Sequence, residues 1–193
     1  MLVQLGKNAR KAAARLGTAG IEEKNHALLA VADALEQQKE YLLEENQKDI
    51  KNAKESGMTE ALIDRLALTE ARIEGMSEGI RQVAALEDPI GEVMNMKKRP
   101  NGLLIGQKRV PLGVIGIIYE SRPNVTADAF SLCFKTGNAV ILRGGSDAIY
   151  SNTAITSVIR STLKDCGMTA DAIQLVTDTS RETATKLMQL NDY

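Results

Sequence analysis

The chain has 193 residues, with 24 Lys and Arg against 25 Asp and Glu, a formal net charge of -1 and 44% hydrophobic residues. That length supplies one domain, or one and a half, with enough apolar surface to exclude disorder and to need no disulfide or metal staple. Balanced charge and six scattered aromatics exclude a nucleic-acid binder, and two cysteines with one histidine exclude a disulfide framework or a Cys/His zinc site. No apolar run reaches the ~18 residues of a membrane span and no signal-peptide pattern opens the chain, so the cytoplasm is the expected compartment.

Charge divides the chain. Of the first 110 residues 34 are charged, against 15 of the remaining 83, so a solvated helical region should precede one of buried strands. Leu2, Leu5, Ala9, Ala12 and Leu16 recur at helical spacing, and Gly17 and Gly20 punctuate the end. Leu28, Val31, Ala32 and Leu35 mark an amphipathic helix. Another starts at Tyr41, carries Ile50 and Ala53, gains an ion pair between Glu44 and Lys48, and ends at Gly57. Thr69 is a candidate N-cap for a helix carrying Ile73, Met76, Ile80, Val83 and Ala84, which Asp88-Pro89-Ile90-Gly91 stops. Glu92–Lys98 and Leu103–Val110 flank Asn101-Gly102, a hairpin signal whose weak alternation implies an edge that depends on a partner surface.

Beyond Pro111 the texture changes. The near-continuous apolar run from Leu112 to Tyr119 predicts a strand covered on both faces. A helix over Thr126–Thr136 ends at Gly137, and a second strand covers Ala139–Leu142. Ile155, Val158, Ile159 and Thr162 mark a helix ended by Gly167. A third strand over Ile173–Val176 and a helix over Arg181–Leu190 complete a βαβαβα series, which implies parallel strands and right-handed crossovers. Three parallel strands leave an open edge, which proteins rarely leave uncovered.

Parallel α/β sheets bind ligands beyond the carboxyl ends of their strands. Three loops qualify: Glu120–Asn124, Arg143–Asp147 and Thr177–Glu182. All precede helices, and two place Arg beside small residues, which suits a planar cation gripping phosphate or carboxylate. Gly144-Gly145 permits close backbone approach to a ligand but equally makes a plain turn. Ser180-Arg181-Glu182 equally fits a capping box, and Arg122 an exposed loop cation. Neither a dinucleotide fingerprint nor a P-loop is present. Cys133 sits in an apolar helix segment and Cys166 at a helix C-terminus, so neither is an activated thiol. His26 reads as a surface residue. From spacing alone the conclusion is an α/β domain with an anion or nucleotide site.

Val110–Ala129 (VPLGVIGIIYESRPNVTADA) and Lys135–Ser146 (KTGNAVILRGGS), with Asp64-Arg65-Leu66 and Asp88–Gly91, closely resemble the gamma-glutamyl phosphate reductase (glutamate-5-semialdehyde dehydrogenase) family and, more distantly, the aldehyde dehydrogenase superfamily. The resemblance implies an aldehyde dehydrogenase-like α/β fold. Residues 1–91 would be helices of the cofactor domain, 92–110 a β-hairpin oligomerisation flap, and 111–193 part of a Rossmann-like parallel sheet. It implies NADPH-dependent reduction of gamma-glutamyl phosphate to glutamate 5-semialdehyde with release of phosphate, the second step of proline biosynthesis.

By position, Arg143, Gly144, Gly145 and Ser146 would form the cofactor loop. Arg143 and Ser146 replace the superfamily's Lys and frequent Glu, which fits a 2′-phosphate. Ser180, Arg181 and Glu182 would stand on the pyrophosphate side. Ser121, Arg122 and Asn124 would face the substrate, with Asn124 a candidate oxyanion donor. The implied partners are other copies of the chain in a homo-oligomer and the glutamate 5-kinase that makes the substrate. The family's catalytic cysteine lies about halfway along a chain of roughly 400 residues. It is therefore expected beyond Tyr193, and this polypeptide alone is expected to be inactive. The rival reading is a non-catalytic nucleotide-binding and oligomerising module.

Overall fold

Apolar side chains at three- and four-residue spacing shape the helical first half of the computed structural model, which describes residues 1–193. Its helices are α1 (Leu2–Leu16), α2 (Ile21–Gln37), α3 (Lys39–Glu55), α4 (Glu60–Leu66) and α5 (Glu70–Ala85). Thr69 caps α5 as expected, its Oγ1 accepting from the Arg72 N–H at 3.2 Å. The short α4 carries no periodic signal and was not expected. On α3, Lys48 pairs with Glu45 at 2.5 Å and not with Glu44; residues three and four apart are both neighbours on a helix surface, and the nearer carboxylate takes the ammonium.

The antiparallel strands β1 (Val93–Lys98) and β2 (Leu104–Lys108) form the hairpin. In its turn only Gly102 takes a positive φ, +86°; its N–H donates to Arg99 O at 2.9 Å, while Asn101 Oδ1 accepts from the Leu103 N–H at 3.2 Å. Every residue of both strands is exposed, including Met94, Met96, Leu104 and Ile105. The rest of the chain offers this hairpin no cover.

The second half is the expected βαβαβα series: β3 (Val114–Ile118), α6 (Asn124–Lys135), β4 (Ala139–Arg143), α7 (Ile149–Asp165), β5 (Ile173–Leu175) and α8 (Arg181–Met188). The strands are parallel in the order β3-β4-β5. Central β4 is buried from Ala139 to Leu142, with α6 and α1 both packed against it. Gly137 ends α6 with φ +73°, and Gly167 follows α7 with φ +71°, the left-handed geometry that glycine tolerates. The expectation for the first strand is corrected. β3 is not covered on both faces but is an edge strand, with Gly116 and Ile118 exposed and Leu112, just before it, 86% exposed. An apolar run reports affinity for burial, whereas burial itself needs a neighbouring element, and none lies outside β3. The first helix also begins two residues early, which places Asn124 within α6 rather than in the loop before it.

Buried polar groups tie the helical half to the sheet. Asn46 and Asp49 on α3 are essentially inaccessible. Asn46 Nδ2 donates to Leu66 O and Ser151 Oγ, both at 2.9 Å, and its Oδ1 accepts from the Leu68 N–H at 2.8 Å. Asp49 accepts from the N–H groups of Tyr150 (3.2 Å) and Ser151 (2.8 Å) and from Ser151 Oγ (2.5 Å). One helix thus satisfies the end of α4 and caps the start of α7. Burial pushes the Asp49 carboxyl above its usual range, against the opposing pull of the Ser151 bonds.

Lys24 on α2 is buried against Asp88, where the chain leaves α5 for the hairpin. Close by, Lys135 Nζ donates to Asn25 Oδ1 (2.7 Å) and Ala84 O (2.8 Å). Burial lowers the Lys135 pKa, and Asp88 resists that shift.

Replacement of Asn46 by Ala leaves Leu66 O and the Leu68 N–H without partners in a dry site, at about 1–3 kcal/mol each. The urea midpoint of Asn46→Ala should fall accordingly; a midpoint equal to that of the parent chain would show that α4 does not depend on this bond set.

Candidate functional site

Three segments of unrelated sequence position meet where the parallel strands end. Tyr119 N–H donates to Arg143 O at 3.1 Å and Val176 N–H to Leu142 O at 2.8 Å, which carries the sheet's pairing into the loops. Ser121 Oγ then donates to Asp147 Oδ2 at 3.0 Å, joining the loop after β3 to the loop after β4. Arg143 Nη2 donates to Thr179 O and, at 3.4 Å, to Ser180 O, joining the loop after β4 to the loop after β5.

The two glycines are explained by space rather than by φ. A Cβ on Gly144 would lie 2.2 Å from Asn152 Nδ2 and 3.2 Å from the Tyr119 ring. A Cβ on Gly145, whose φ is −61°, would lie 2.6 Å from Ser121 Oγ. Behind them Tyr119 OH bonds Thr126 Oγ1 at 2.7 Å, and Thr126 Oγ1 donates to Asn152 Oδ1 at 2.9 Å. Burial pushes the Tyr119 phenol up to about 12, partly offset by its bond to Thr126, so it stays neutral and acts as a strut.

The loops enclose a cleft of about 620 Å³. It gathers Ser121, Arg122, Arg143, Gly145, Ser146 and Arg181 from among the residues that the sequence singled out. It also contains Arg65, from the unexpected α4, and Asp147. None of its four arginines forms an ion pair, whereas both Asp147 oxygens accept serine hydroxyls, from Ser121 at 3.0 Å and Ser146 at 3.4 Å. The cleft is therefore cationic. Two buried donors at the β4 turn, Arg143 Nε and Asn152 Nδ2, find no acceptor within the chain. Uncompensated guanidiniums and the unpartnered Nε of cleft-lining Arg143 suit an acceptor-rich anionic ligand, such as the phosphates of a dinucleotide, whereas Asn152 lies behind Gly144 and outside the cleft. No cluster of metal-ligating side chains exists.

Four expected residues stand apart. Gly144 packs behind the cleft. Ser180 is a true N-cap, its Oγ accepting from the Thr183 N–H at 3.2 Å, but Glu182 pairs with Lys186 at 2.6 Å and closes no capping box. Asn124 lies in a neighbouring cleft of about 520 Å³, its Nδ2 donating to Asp128 Oδ2 at 3.2 Å. Arg65 and Arg122 line both clefts and so stand at their boundary. Asp147 lies in the expected Arg143–Asp147 loop, without an individual role in the sequence; Arg65 has no site role there, and its one visible signal is the Asp64-Arg65-Leu66 segment. Burial pushes the Cys133 thiol up to about 11 and raises Cys166 as well, so neither is poised as a thiolate.

Residues 4–193 match the family model described as the aldehyde dehydrogenase family. A gamma-glutamyl phosphate reductase from Lachnospira eligens is 59% identical over all of this chain and 46% of its own length. The crystal structure of gamma-glutamyl phosphate reductase from Thermotoga maritima superimposes with a TM-score of 0.97 at 42% identity, over 100% of this chain and 46% of that one. The Saccharomyces cerevisiae enzyme of the same name gives 0.90 at 33% identity, over 98% and 48%. The chain spans about half the length of the curated relatives it matches, corresponding to their N-terminal part.

Because its methyl would meet buried Asn152, Gly144→Ala should destabilise the protein by about 1–3 kcal/mol. Gly116→Ala on β3 meets nothing within 4 Å and should be neutral or slightly stabilising. Equal melting temperatures for the two variants would refute the space argument.

Proposed function

The chain belongs to the aldehyde dehydrogenase family, and from that premise we propose that it is the cofactor-side part of an NADPH-dependent gamma-glutamyl phosphate reductase acting in the cytoplasm. The observation that carries this reading is the cationic cleft at the carboxyl ends of three parallel strands, with four arginines and no ion pair among them. Similarity to gamma-glutamyl phosphate reductases along the whole chain supports the substrate.

When bound, NADPH supplies the hydride that reduces the acyl group to the aldehyde. The chain's own residues bind and orient. Arg143, held by the Thr179 and Ser180 carbonyls, presents its remaining donors to the 2′-phosphate. Ser146 stands where a carboxylate would repel that phosphate, and the neighbouring Asp147 is engaged with serine hydroxyls. Arg181, on the first turn of α8, faces the pyrophosphate, with Gly144 and Gly145 keeping the loops close enough for both contacts. Ser121 and Arg122 face the substrate, and Asn124 supplies an N–H to the developing oxyanion.

The nucleophilic thiol lies outside these 193 residues, because neither Cys133, buried in α6, nor Cys166, after α7, lines either cleft. A strand from the remainder of the full-length enzyme covers the open edge of β3. The exposed hairpin serves as the oligomerisation flap of a homo-oligomer.

In the full-length protein, NADP reduction should require both glutamate semialdehyde and inorganic phosphate, while the 193-residue chain alone shows none. Turnover by the short chain would place the thiol within it and overturn that part of the reading. Arg143→Ala in the full-length protein should weaken NADPH about ten- to a hundredfold, as expected for one lost charge-assisted contact, and NADH by far less. Equal losses for the two cofactors would remove the 2′-phosphate assignment.

A further inference from the structure

Arg65 lies at the end of a short helix, yet the backbone around it is pinned on both sides. Asn46 holds Leu66 O at 2.9 Å and the Leu68 N–H at 2.8 Å. Arg72 holds Ala67 O at 2.7 Å and also the Asp64 carbonyl, and its own charge is taken up by the Asp64 carboxylate at 3.2 Å. Leu66 is fully buried. Of the two arginines on this stretch, Arg72 is therefore spent on structure, and Arg65 keeps its five donors without an acidic partner. Opposite stands Arg122, also without an ion pair, in a tight loop closed by its N–H on Glu120 O at 2.8 Å and followed by buried Pro123.

These two arginines alone among the cationic residues line both clefts, one holding the cofactor loops and the other holding Asn124. A group gripped there lies between the cofactor and the proposed oxyanion donor. Arg143 and Arg181 sit only on the cofactor side. Two guanidiniums match a phosphoryl dianion, with three acceptor oxygens and two charges, better than a monoanionic carboxylate with two oxygens, which one bidentate guanidinium already balances. We propose that Arg65 and Arg122 form the subsite for the phosphoryl group of an acyl phosphate substrate, and hence for inorganic phosphate in the reverse direction. This rests on the reductase reading and adds to it a residue, Arg65, and a ligand atom group.

The test uses the full-length protein in the oxidative direction, with inorganic phosphate, glutamate semialdehyde and NADP varied in turn. Arg65→Ala should raise the KM for phosphate about ten- to a hundredfold, the loss expected for one charge-assisted contact, and leave the other two within about twofold. Arg65→Lys should recover part of the loss, and melting temperatures of both variants should match the parent. A rise confined to the semialdehyde KM would assign the pair to the substrate carboxylate, and a rise confined to the NADP KM would assign it to the cofactor. Either result, or no change in any KM, overturns the proposal while leaving the reductase reading intact. Absence of phosphate-dependent NADP reduction in the parent protein would instead bring down the reading itself, and the subsite with it.

Discussion

A buried pair of polar side chains on one helix holds the rest of the molecule in register. Helix ends carry backbone groups that no residue of the same helix can satisfy, and in a dry interior each must find a partner. Asn46 and Asp49 supply those partners for two helices at once, the end of α4 and the start of α7. Both lie on the single buried side of α3, which also presents Ile50 and Ala53. The carboxylate remains above its usual range because burial outweighs three hydrogen bonds. Other polar ties between the two halves exist, such as Lys135 to Asn25 and Gln174 to Leu5 O, but none of them satisfies the ends of α4 and α7.

That registration decides what the cleft contains. The β4 loop enters α7 directly after Arg143–Asp147, so the capped start of α7 fixes the loop's exit. Leu66, tied to Asn46, carries Arg65 with it. Arginines from four separated segments then converge on one opening, and the two carboxyl groups at its rim, Glu120 and Asp147, do not pair with them. Such convergence costs self-repulsion, and a site that tolerates it is shaped for an anion. The glycines contribute by omission, since a side chain at Gly144 or Gly145 would push the loops apart.

The outer surfaces follow a different rule. Ile118 at the end of β3, Leu112 before it and the apolar side chains along the hairpin are exposed, while Val114, Ile115 and Ile117 pack on the core. Relatives of the same family are about twice as long. An uncovered sheet edge and a projecting apolar hairpin are the features expected where further covering surface belongs. The buried Lys24–Asp88 pair anchors the root of the hairpin, so the hairpin's exposure is compatible with a firmly held base.

Periodicity in the sequence by itself determined the long helices, the three parallel strands, the hairpin and the three loops, because each is set by local spacing of apolar residues and by glycine or proline punctuation. The motif from Val110 to Ser146 determined the family, since its residues are specific beyond what packing requires. Tertiary structure alone decided the rest. The apolar run at β3 looked fully buried but lies at an edge, because pairing depends on what stands beside a strand. Asn124, the last residue of the expected substrate loop, is the first residue of α6 and lines the neighbouring cleft together with Arg122 and Pro123. The seven-residue α4 left no period to read, and it carries Arg65 into the site through hydrogen bonds from Asn46, some 20 positions away, and from Arg72 on α5. Local sequence encodes the shape of a segment; which segments meet is settled by where their unsatisfied polar groups and apolar faces find partners.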